Sequence, residues 1–120
     1  MKIAFSTSGH AMDSPIDERF GRAERFLVYD LDEETFELFE NEQNLNAVQG
    51  AGIQSAQTVV RAGAGALVSG HCGPKAFRVL SAAGVKVYTG HAMSIAEALQ
   101  QYLMGTLTEL SSADVEGHWS

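Results

Sequence analysis

The chain has 120 residues, a net charge of −7, 45% hydrophobic and 19% charged residues, and a single cysteine. That length suits one domain with a single core, and the composition is that of a soluble α/β fold. The acidic balance argues against a nucleic-acid surface, and no apolar run reaches the ~18 residues that would span a membrane. One cysteine excludes an internal disulfide and suits a reducing cytoplasm.

Lys2 to Phe5 reads as a first strand, too short in its apolar part for a signal peptide. A turn-rich Ser6-Thr7-Ser8-Gly9 and a loop through His10 and Met12 to Pro15 follow. Ile16, Phe20 and Ala23 have helical spacing interrupted by Gly21, which predicts only a short turn near Asp17–Phe20. A strand from Glu24 or Arg25 to Asp30 and another from Thr35 to Glu40 are predicted around the turn Asp32-Glu33-Glu34, forming a hairpin with Phe36 and Leu38 on one face and Phe39 on the other. Residues 41–49 are a polar connection.

A helix is predicted from Ala51 to Ala62, with Ile53, Ala56, Val59 and Val60 on its apolar side. Ala66 to Ser69 is a buried strand. Pro74 suits the first position of the next helix, where its missing N–H costs nothing. Phe77, Val79 and Leu80 give that helix a core side and Gly84 stops it. Val85 to Tyr88 is another strand. Ser94 caps a last helix from Ile95 to Met104, with Glu97 in the capping-box position and Ile95, Ala98, Leu99 and Leu103 facing the core. Residues 1–110 form the domain and 111–120 a polar tail. Strand and helix alternate after residue 50, which requires parallel strands joined by crossovers, while the hairpin makes the sheet mixed. The expectation is five strands with helices on both faces.

Ligands of such a sheet bind outside the carboxyl ends of the parallel strands. Three loops leave those ends, and they carry His10, His71 and His91, with Met12 and Met93 beside two of them and Cys72 next to His71. The turn Gly70-His71-Cys72-Gly73-Pro74-Lys75 joins a strand to a helix N-terminus, where free N–H groups favour anions and lower a thiol's pKa. Imidazole with thiolate is a ligand set for copper, zinc or iron–sulfur units. No HxxH, CxxC or HExxH spacing is present, which disfavours a closed zinc site. Each of these residues also has an ordinary reading: a solvated histidine, a small buried thiol, or a solvated helix cation at Lys75 and Arg78. The Gln49–Ala56 stretch lacks the spacing of a P-loop or dinucleotide fingerprint. A Cys72–His71 dyad fails because adjacent side chains in a turn seldom meet, so a hydrolase would have to draw its base from His10 or His91.

The segments MKIAFSTSG, IDERFGRAERFLVYD, GAGIQSAQTVVRAGAGALVSG, GPKAFRVLSAAGVKVYTG and SIAEAL run in an order and spacing that resembles the dinitrogenase iron–molybdenum cofactor biosynthesis family, over about residues 1–105. The resemblance implies a ribonuclease H-like three-layer α/β sandwich on a five-stranded mixed sheet. It also implies binding of an anionic metal–sulfide cluster rather than catalysis. The stand-alone branch that this chain resembles includes the orange proteins, which hold a molybdenum–copper sulfide cluster; other branches handle Mo/Fe–sulfide clusters. Carried onto this chain, a cluster would meet His10, His71, Cys72 and His91 as candidate metal ligands. Gly70, Gly73, Pro74 and Lys75 would form an anion cradle, and Met12 and Met93 soft walls. The competing reading is a metal-free interaction module that works with an ATPase or another assembly partner.

Overall fold

The computed structural model describes residues 1–41 and 51–111. Most of the predicted 41–49 connection and of the C-terminal tail therefore lies outside the described residues. Six strands form one mixed sheet in the order β3-β2-β1-β4-β5-β6. They are β1 (Lys2–Thr7), β2 (Arg25–Asp30), β3 (Thr35–Glu40), β4 (Ala66–Ser69), β5 (Lys86–Thr89) and β6 (Thr108–Glu109). β1, β4 and β5 run parallel, while β2, β3 and β6 are antiparallel to their neighbours. The expected count of five strands is thus corrected to six. β6 is two residues long, pairing Tyr88 with Glu109 and Thr89 with Thr108, and two residues carry no alternation that a sequence could display.

The period-2 alternation of each strand splits the core in two. Ala4, Phe26, Val28, Leu67 and Val87 face helices α1 (Ala51–Arg61) and α2 (Pro74–Ala82). Ile3, Phe5, Leu27, Ala66 and Val68 face helix α3 (Ile95–Met104). Helices therefore cover both faces of the sheet, α1 and α2 packing on each other on one side. Fully burying each Ile, Leu, Val or Phe of these clusters stabilises the fold by about 1.5–3 kcal/mol before chain entropy is charged against it.

Local rules set the helix ends. Ser94 Oγ accepts the Glu97 N–H at 3.1 Å, and Glu97 Oε1 accepts the Ser94 N–H at 3.1 Å, closing the capping box. α3 ends on Gly105 at φ 74°, a left-handed conformation that favours glycine. Its last turn departs from expectation: Leu103 is 61% exposed, and the core face continues from Leu99 to Tyr102 instead. The turn expected near Asp17–Phe20 is also displaced. A single 3₁₀ turn occupies Phe20–Arg22, and residues 16–19 are instead spent on bridges to other loops. On β3, Phe39 joins the α1/α2 core, whereas Phe36 and Leu38 lie on the opposite face, exposed.

Candidate functional site

The carboxyl ends of β1, β4 and β5 are bound together by residues 16–20. Asp17 N donates to Ser6 O at 2.7 Å, at the end of β1. His71 N donates to Glu18 O at 2.7 Å, and Phe20 N donates to His71 O at 3.3 Å, just past β4. Ile16 N donates to Met93 O at 3.0 Å, in the loop after β5. Below this strap a buried relay runs between strands. Ser6 Oγ lies 2.7 Å from Ser69 Oγ and 2.6 Å from Asp17 O. A hydroxyl holds one proton, so Ser69 donates to Ser6, which donates on to the carbonyl. The strap satisfies backbone groups that the strand ends would otherwise leave unpaired.

The strap also places a carboxylate. Glu18 Oε1 lies 3.1 Å from His91 Nδ1, and Glu18 Oε2 accepts the Ala92 N–H at 3.1 Å. Ala92 has φ 53°, an uncommon conformation for a residue with a side chain. The His91 hydrogen bond, then the Ala92 amide, hold the Glu18 carboxyl below its ordinary pKa against the opposing effect of desolvation. An ionised carboxylate only accepts, so this hydrogen bond requires a proton on His91 Nδ1. The His71 and His91 rings stand with centroids 6.2 Å apart, tilted by 57°. Both residues are exposed.

Of the residues expected on the rim, His71 and His91 are brought together. His10 is not in that pair: it is exposed and lies near Glu40, whose carboxyl it helps to depress after the larger effect of Arg25. Arg25 holds that side of the loop by donating to the carbonyls of Ser8 and Gly9 and, through Nε, to Glu40 Oε2 at 2.9 Å. Cys72 is 4% exposed within the α1/α2 core. Burial pushes its thiol up to about 12, so it is neutral and turned away from solvent. The lowered pKa expected of a thiol at a helix start does not develop, because desolvation outweighs the helix dipole. Met12 and Met93 pack against the α3-side core.

Gly73 caps α2 without a side-chain hydrogen bond, Pro74 occupies the first turn, and Phe77 N makes the first helical bond back to Gly73 O at 2.9 Å. Lys75 and Arg78 are exposed on this helix, so its N-terminal end carries cations as well as first-turn amides that no helical carbonyl can serve. Gly70 is buried directly against Glu18. The residue missed from sequence is Glu18, which the spacing places only within a short turn near Asp17–Phe20. Among the described residues, no three His, Cys, Asp or Glu side chains converge to hold a metal ion, and no helix is long and apolar enough to cross a membrane.

Fold and site together define a small α/β protein with a histidine pair at the carboxyl ends of its parallel strands. Residues 1–105 match the family described as dinitrogenase iron–molybdenum cofactor, and the chain belongs to that family. It is similar to the apo form of the orange protein from Desulfovibrio gigas, with 37% identity, 92% of each chain covered and a TM-score of 0.85. A NifB-like protein from Thermotoga shares 34% identity over 91% of this chain and 92% of its own, with a TM-score of 0.78. An uncharacterized protein of Methanocaldococcus jannaschii is 32% identical over 110 residues, 89% of each chain.

Proposed function

We propose that the chain binds and carries an anionic molybdenum-containing metal–sulfide cluster, of the Mo–Cu or Fe–Mo type, without catalysing a reaction on it. The observation that carries this reading is the His71–His91 pair, exposed and 6.2 Å apart on the strand-end rim, in a chain of the iron–molybdenum cofactor family. Two imidazoles suit copper or iron but are too few to enclose a bare ion. A cluster that arrives with its own sulfides needs few protein ligands, and its negative charge suits Lys75, Arg78 and the amides at the start of α2.

Cys72 has no part in this binding, since a neutral thiol inside the core offers no sulfur to a cargo at the surface. The donor set is therefore nitrogen and N–H rather than thiolate. Titrating the apo-protein with tetrathiomolybdate and copper, with visible absorption and amide shift mapping, tests the reading. A charge-transfer band with shifts centred on residues 70–76 and 90–93 is expected. No band, or shifts confined to the β2–β3 hairpin, would rule the reading out.

A further inference from the structure

Glu18 holds both members of the histidine pair, through different groups. Its backbone carbonyl receives the His71 N–H at 2.7 Å, while its carboxylate reaches His91 Nδ1 and the Ala92 N–H, each at 3.1 Å. An exposed Glu–His pair alone would carry little meaning. Here both oxygens are engaged, one of them on the amide of a residue in the left-handed region. The Glu18 backbone is itself fixed from below, because Gly70 packs against its Cα, Cβ and carbonyl oxygen. A side chain that is held on both sides and holds others in turn has the character of an outer-shell support for a metal ligand.

The geometry points to Glu18 as the positioning residue of the cargo site: its carboxylate fixes the His91 ring as the Nδ1–H tautomer, presenting Nε2 to the cluster beside His71. This assignment rests on the cluster-carrier reading for its purpose, but the tautomer itself is a property of the apo-protein. Without the carboxylate, the ring reverts to the Nε2–H form that a free imidazole side chain favours, and its lone pair turns inward. The His91–Ala92 turn also loses the acceptor for the Ala92 N–H.

The test uses the full chain with 15N-labelled histidine, at a pH where the imidazoles are neutral. Two-bond proton–nitrogen correlations should show His91 as Nδ1–H in the wild type and as Nε2–H in Glu18→Ala. Tetrathiomolybdate with copper should then bind Glu18→Ala about 10–100-fold more weakly than wild type. Glu18→Gln keeps the side-chain volume and one acceptor oxygen for two donors, so an intermediate loss is expected; it also serves if the alanine variant loses the amide fingerprint of the fold. An Nε2–H tautomer in the wild type, or unchanged cluster affinity in both variants, would overturn the assignment. If the wild type takes up no cluster, the carrier reading fails, and the tautomer comparison still decides whether Glu18 sets His91.

Discussion

A β-carbon at Gly70 would stand 2.4 Å from Glu18 Cβ and 2.5 Å from both Glu18 Cα and Glu18 O. Two of those three atoms belong to backbone, so no rotamer change can relieve the contact. Gly70→Ala is therefore expected to lift residues 16–19 off the end of β4. The cost should be about 1–3 kcal/mol, as for other overpacked sites. Thermal unfolding reads the loss. Hydrogen exchange locates it: the His71 N–H, which donates to Glu18 O, should lose protection before the amides of β1 do.

Cys72 divides two kinds of consequence. At pH 8 a thiol at about 12 is ionised to roughly one part in ten thousand, so iodoacetamide should leave it unmodified until denaturant opens the core. Cys72→Ala is expected to cost about 1 kcal/mol of burial. Cys72→Ser should cost about 1–3 kcal/mol, because a hydroxyl would be placed among Ala76, Leu80 and their apolar neighbours. Both variants should retain the charge-transfer band with the cluster; its disappearance in Cys72→Ala would restore the thiol as a ligand.

The histidines should separate by neighbourhood. His71→Ala and His91→Ala should each weaken cluster binding by at least about tenfold, the scale of losing one ligand or its support. His10→Ala, on the Arg25–Glu40 side of the loop, should bind like wild type. Visible titration of the three variants under one set of conditions checks this, and equal losses in all three would place the cargo across the whole rim.

Acid should act through Glu40. Its carboxyl is held below the ordinary value chiefly by the hydrogen bond from Arg25, whose guanidinium also ties down the Ser8 and Gly9 carbonyls. A depressed carboxylate contributes its stability above the unfolded pKa and loses it as pH falls through the folded one. The stability gap between wild type and Glu40→Gln should thus be constant near neutral pH and close as pH drops below the carboxylate range. Urea midpoints at neutral pH and at about pH 3 measure it; a gap that persists in acid would show that the pair acts through shape rather than charge.

The elements were legible where local chemistry decides them. Ser94 with Glu97 announced α3, Pro74 opened α2, and the apolar run 66–68 announced β4. β6 was not legible, because its two residues pair only after α3 has returned the chain beside β5. His71 and His91 could be found from their loops alone. Glu18 could not, since its role depends on a strap between residues far apart in sequence. The adjacent histidine suggests a surface position for Cys72, but it precedes α2 and packs with Ala76 and Leu80 of that helix in the α1/α2 core.

The burial of Cys72 also bears on how the chain meets an oxidising environment. Its single sulfhydryl lies inside the α1/α2 core, so it is shielded from peroxide and from exchange with small disulfides. On the carrier reading proposed above, the binding surface then presents no thiol that oxidation could cap. On the same reading, a sulfide-rich cargo would leave without the breaking of a protein–sulfur bond, and hand-over would depend on exchange at nitrogen.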